Sequence, residues 1–151
     1  MRRVVFICTG NYYRSRYAEI YFNARVPPES RWRAVSYGFR LSPRNQGPIA
    51  GCVLDRTRAL GIPVAEPIRP PRQLQPGDLT RADFVVALDE DEHRAYVDQN
   101  LPEWAARVAY WRVPDVGGMP IERALATIEA EVEALLGQLA DLPGGPGLPR
   151  S

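Results

Sequence analysis

Near its start the chain runs Val4-Val5-Phe6-Ile7, then Cys8-Thr9-Gly10-Asn11-Tyr12-Tyr13-Arg14-Ser15, then Arg16-Tyr17-Ala18-Glu19-Ile20. An apolar strand, a tight loop with Gly and Asn, and an Arg-Ser pair opening an amphipathic helix leave little local freedom. Successive backbone N–H groups in such a loop turn inward, and the helix N-terminus adds partial positive charge. The product is a cradle for an oxyanion. The same field favours an anionic sulfur at Cys8, placed where the strand ends. A phosphate held there meets a nucleophile.

Spacing alone does not carry this reading. Cys52 and Arg58 repeat the same Cys-x5-Arg interval in a chain rich in arginine. That second match has no glycine, holds Asp55 inside it, and lies within a helical pattern that ends at Gly61. An acid in an anion nest repels the ligand, and a continuous helix uses its N–H groups in its own ladder. Cys52 therefore reads as a small core-facing helix residue.

Apolar runs of strand length alternate with helical patterns along the rest of the chain, which predicts an α/β domain with a parallel sheet. Strands are expected at about 3–7, 33–36, 84–88 and 108–113, and helices at about 15–25, 49–60, 90–98 and 121–139. Pro27-Pro28 stops the first helix, and Gly61 takes the C-terminal capping place of the second. The five prolines of residues 62–78 make a stiff connection. In the last helix Ile121, Leu125, Ile128, Val132, Leu135 and Leu136 form one apolar face. Cys8, Ser36, Asp89 and Asp115 each follow a predicted strand. Ligands of open parallel sheets bind beyond the carboxyl ends of strands, so these four are expected on one edge.

Composition narrows the class. With 151 residues, 45% hydrophobic and 25% charged, the chain suits one globular domain with a real core. No apolar run reaches membrane-spanning length, and the stretch Val4–Cys8 is too short for a signal peptide. Two cysteines in unlike contexts make no disulfide framework. A cytoplasmic protein is expected, with no membrane partner. Residues 1–81 carry 14 arginines against 5 acids, and residues 82–151 carry 5 against 13, with no lysine anywhere. Either the basic half steers an anionic substrate, or the bias reflects gene composition and solvated faces. No basic run is interleaved with stacking aromatics, so no nucleic acid partner is expected.

At these residues the chain resembles the low-molecular-weight protein tyrosine phosphatases. The likeness starts at Val5-Phe6-Ile7-Cys8-Thr9-Gly10-Asn11 with Arg14-Ser15, and continues through Val35-Ser36, Gly61-Ile62-Pro63 and Arg72-Gln73-Leu74. It then takes in Ala82-Asp83-Phe84-Val85 and Leu88-Asp89, and closes at Val113-Pro114-Asp115 before an acidic helix. The run Pro143-Gly144-Gly145-Pro146-Gly147 predicts a disordered tail over 143–151, which leaves a single four-stranded domain over residues 1–142, and the resemblance covers about 3–140 of it. What the resemblance implies is a phosphomonoester hydrolase, a protein-tyrosine phosphatase, that works in two displacements. Cys8 attacks phosphorus as thiolate, and water then hydrolyses the phosphocysteine. Arg14 clamps two equatorial oxygens, and backbone N–H groups from Thr9, Gly10, Asn11, Tyr12 and Tyr13 to Arg14 bind the rest. Ser15 hydrogen-bonds the thiolate. Asp115 protonates the leaving oxygen and later takes a proton from water. Asn11 takes a left-handed conformation, with Ser36 as its support. No metal or other cofactor is implied, and the partner is a phosphotyrosine protein or a small aryl phosphate.

The chain departs from that pattern in places. Tyr13 stands where the family often has a second loop cysteine, so no disulfide protection of Cys8 is expected. One ring of Tyr12-Tyr13 either walls the pocket or packs onto neighbouring loops. Arg16 replaces a usual proline, and Val116-Gly117-Gly118 after Asp115 predicts a looser acid loop and a thinner wall. The supporting histidine expected near Arg69–Arg72 is absent, and His93 reads as a surface helix residue. Two other functions remain open. A catalytically weak or inactive phosphate-binding module is one. A thiol-coupled arsenate reductase, which needs further cysteines that residues 53–151 lack, is the other.

Overall fold

Apolar runs pair as a four-stranded parallel sheet in the order β2-β1-β3-β4, in a computed structural model that describes residues 1–141. The strands are β1 (Arg2–Cys8), β2 (Trp32–Gly38), β3 (Phe84–Ala87) and β4 (Val108–Tyr110). The helices are α1 (Arg14–Arg25), α2 (Gly51–Ala59), α3 (Glu90–Asn100) and α4 (Ile121–Ala140). The expected tail, 143–151, lies outside the described residues. No helix among the described residues is long and apolar enough to cross a membrane.

Strand β1 lies between β2 and β3, with Val5 beside Val35 and Val85. Its side chains alternate between two covered faces. Val4, Phe6 and Cys8 join the larger core with Tyr17 and Phe22 of α1 and Leu125, Ile128 and Val132 of α4. Val5 and Ile7 join a smaller core with Val97 of α3 and Phe39. Because the winding runs to β2 on one side and β3 on the other, the chain reverses at β1. The loop after Cys8 therefore opens at the point where parallel sheets leave a crevice.

Local signals set most boundaries. Val26, held extended by the following proline, ends α1. Gly61, at φ +70, closes α2; its N–H bonds Arg58 O, and Ile62 N–H bonds Thr57 O. The predicted apolar stripe of α4 is buried over Leu125–Leu135, but it slips at its ends. Ala124 and Leu139 are buried, whereas Ile121 is exposed. Strand β4 stops at Tyr110, earlier than its apolar run, although Trp111 and Val113 still donate to Ala87 O and Leu88 O.

The proline-rich connection runs along the free edge of β2. Gly38 N–H donates to Arg72 O, and Leu74 N–H donates to Gly38 O. Gly38 also lies against the loop after β1: a Cβ there would sit 2.7 Å from Leu41 Cδ2, 2.8 Å from Thr9 O and 3.0 Å from Asn11 N. Two of those atoms are backbone and cannot swing aside. Gly38→Ala is expected to lower stability by about 1–3 kcal/mol in urea unfolding, because overpacking must push the loop outward. A neutral effect would mean that the loop is not wedged there.

Candidate active site

Cys8 ends β1 almost fully buried, with its Sγ 2.9 Å from Ser15 Oγ. Ser15 Oγ accepts a hydrogen bond from Asn11 Nδ2 at 2.8 Å, which leaves the serine hydroxyl hydrogen for the sulfur. Asn11 is wholly buried at φ +50, a conformation asparagine tolerates better than most residues. Its Nδ2 also donates to Ser36 Oγ at 2.9 Å. Its Oδ1 accepts from Arg69 Nη1 at 3.1 Å and from Arg72 N–H at 2.9 Å. Every donor and acceptor of the carboxamide is used, which also fixes its orientation.

Arg69 occupies the supporting place for which a histidine was expected. It pairs with Glu19 Oε1 at 2.7 Å and donates to Ser36 Oγ at 2.8 Å, while Ser36 donates to the same Glu19 oxygen. Arg16 lies beside it, buried, with donors on Pro48 O and Arg69 O, both at 2.8 Å. Burial and the Arg69 cation lower the Arg16 pKa to about 10.

Arg14, at the first turn of α1, is 2% exposed. Burial disfavours its charge, but the hydrogen-bonded Glu92 carboxylate, Cys8 and Asp115 outweigh that and hold its pKa above the ordinary value. Nη2 lies 2.9 Å from Glu92 Oε2 and 3.7 Å from Asp115 Oδ2. Asp115 caps a turn in which its carbonyl accepts from Gly118 N–H at 2.9 Å, with Gly117 at φ +95. The loop closes as a turn here, and its Val116 forms part of the cavity wall.

Cys8, Arg14 and Asp115 line one cavity of about 350 Å³. Tyr12 and Tyr13 line it too, and they also pack onto neighbours, so the two readings of these rings coexist. The Tyr12 hydroxyl reaches Gln46 O at 2.5 Å, and Tyr13 is buried in the larger core. Burial, with Cys52 nearby, pushes the Tyr13 pKa up to about 12. Thr9, Gly10, Arg40, Ser42, Asn45 and Ala50 add to the wall, whereas Ser15, Asn11 and Ser36 are not among the lining residues. Cys52, expected to face the core, is half-buried and packs against the larger core, and it also lines this same cavity.

His93 corrects the sequence reading most sharply. It is 1% exposed, packed against Phe39, and its Nε2 lies 3.1 Å from both Glu92 Oε2 and Thr9 Oγ1. Its charged neighbours Asp91, Glu92 and Arg94 suggested solvent. Val97 and Leu101, one and two turns further on, mark the buried face that His93 shares. Glu92 was also missed, since acids in the first turn of a helix are ordinary. Among the described residues no group of three or more His, Cys, Asp and Glu is arranged to hold a metal ion.

A family model described as low molecular weight phosphotyrosine protein phosphatase matches residues 3–142, and the chain belongs to that family. Members of the family are cysteine-dependent phosphatases. Solved structures of the same fold include a low molecular weight protein tyrosine phosphatase from Streptococcus pyogenes, 19% identical with TM-score 0.77. The match covers 92% of this chain and 93% of that one. A second, from T. tengcongensis, is 26% identical with TM-score 0.72 and covers 92% and 100%. A third is the YwlE arginine phosphatase from Geobacillus stearothermophilus, 21% identical with TM-score 0.74, covering 92% and 93%. No curated protein matches the chain.

The Arg69–Glu19 pair yields a stability test. Arg69→Met leaves a mostly buried carboxylate without its cation, and a loss of about 1–3 kcal/mol is expected in urea unfolding. Adding Glu19→Gln recovers part of that loss. A double variant no better than the single one counts against the pairing.

Proposed function

We propose that the protein hydrolyses aryl phosphomonoesters, phosphotyrosine foremost, through a phosphocysteine intermediate. The observation that carries this reading is the Asp115 carboxylate beside Arg14 in the cavity floored by Cys8. Simple phosphate binding needs neither a nucleophile nor an acid, which argues against a binding module. In the first step Cys8 Sγ attacks phosphorus and the P–O bond to the leaving group breaks. The Ser15 hydroxyl supports the sulfur, and Arg14 with the loop N–H groups takes up the charge that spreads over the equatorial oxygens. Asp115 gives its proton to the departing phenolate oxygen. In the second step water attacks the phosphocysteine, Asp115 takes a proton from it, and the P–S bond breaks to return the thiolate. Tyr12 and Tyr13 offer aromatic walls to an aryl ester.

Phosphoarginine is a second substrate reading, favoured by the arginine phosphatase that shares the fold. There the same attack breaks a P–N bond and Asp115 protonates nitrogen.

Turnover of an aryl phosphate, a phosphotyrosine peptide and a phosphoarginine peptide by wild type and two variants separates these readings. Cys8→Ser is expected to lose about a thousand-fold or more in kcat, since the nucleophile is gone. Asp115→Asn is expected to lose about a hundred-fold or more with poor leaving groups and less with good ones. Full activity in Cys8→Ser removes the covalent route. Higher kcat/KM on phosphoarginine than on phosphotyrosine moves the assignment to the second substrate.

A further inference from the structure

An arginine guanidinium carries five N–H bonds in a planar fork. In Arg14, Nη1 donates to Glu92 Oε1 at 3.0 Å and to Val113 O at 2.9 Å, and Nη2 donates to Glu92 Oε2 at 2.9 Å. Glu92 therefore grips the far end of the fork with both oxygens. The N–H of Nε and the second N–H of Nη2 remain, and they lie together along one edge. That edge matches two oxygens of a single phosphoryl group.

Glu92 is itself held in place. Its Oε2 accepts from the Thr9 hydroxyl at the start of the loop, and the ring of His93 lies 3.1 Å away. His93 Nδ1 accepts from Asp89 N–H at 3.1 Å, so the ring hydrogen sits on Nε2, directed at Thr9 and Glu92. Burial alone raises the carboxyl pKa of Glu92, but hydrogen bonds from His93, Arg14 and Thr9 outweigh it and hold the group well below the usual carboxylate range. Glu92 holds the Nη1–Nη2 end of the guanidinium, which leaves the Nε–Nη2 edge free of it in the cavity that Arg14 and Cys8 line.

We propose that Glu92, oriented by His93, is a positioning residue that sets the roll of Arg14 so that its Nε–Nη2 edge faces the phosphoryl group before substrate arrives. This assignment rests on the phosphatase reading of the site. A carboxylate on a phosphate-binding arginine has an opposite alternative, in which it competes with substrate for the cation. The two roles differ in sign.

The test is Glu92→Gln, which keeps the size but turns an amide N–H2 towards one Nη. Affinities for inorganic phosphate and for vanadate are measured by calorimetry on the same sample, with turnover of an aryl phosphate beside them. Vanadate takes the five-coordinate geometry of a transferring phosphoryl group, whereas phosphate stays tetrahedral. Vanadate affinity and kcat are each expected to fall about 10–100-fold, the scale of a misplaced catalytic group. Phosphate affinity is expected to stay within about threefold, because ground-state binding is less demanding of geometry. Equal weakening of both anions would give Glu92 a merely structural role. Unchanged vanadate affinity, or tighter phosphate with faster turnover, would also overturn the proposal. A wild type that binds both anions yet hydrolyses nothing defeats the phosphatase reading instead, and the ratio of affinities still decides the role of Glu92.

Discussion

The carboxamide of Asn11 sits at the centre of the site with all its hydrogen-bonding capacity spent. Two hydrogens go to Ser15 and Ser36, and the oxygen receives Arg69 and the Arg72 backbone. These bonds hold a left-handed residue in the middle of the loop, and left-handed geometry costs a side-chain-bearing residue roughly 1 kcal/mol or more. They also turn the Ser15 hydroxyl towards Cys8. Without this hub nothing would hold Asn11 at its positive φ behind Cys8. The packed backbone of Gly38 below and the three carbonyls that receive Arg16 close the remaining directions.

Charge in the site is arranged around a buried cation. Arg14 is buried with Glu92 gripping Nη1 and Nη2 and Asp115 3.7 Å from the same Nη2, so the cation is compensated before any substrate binds. Behind the loop, Arg69 pairs with Glu19, and the buried Arg16 lies beside it. Preorganisation of this kind spares the site from reorienting dipoles when charge moves.

Much of the frame was legible because its causes are local. β1 is a continuous apolar run, α1 ends at paired prolines, and α2 ends at a left-handed glycine. The loop from Cys8 to Ser15 announces itself by residue type and by its place between strand and helix. What escaped the sequence depends on how distant elements meet. Arg69 reaches Asn11 only because the proline-rich connection lies along β2. His93 and Glu92 reach Thr9 and Arg14 only because β3 delivers α3 beside the loop, and neither residue type signals that by itself. Cys52 faces the cavity for the same reason: Ala50 N–H bonds Tyr12 O and swings the start of α2 over the loop.

The most direct test of the account is alkylation of Cys8 followed by mass spectrometry, with and without vanadate. A sulfur at the floor of an oxyanion cradle is expected to be modified by iodoacetate and shielded when vanadate is bound. Equal modification of Cys8 in the presence and absence of vanadate would contradict it.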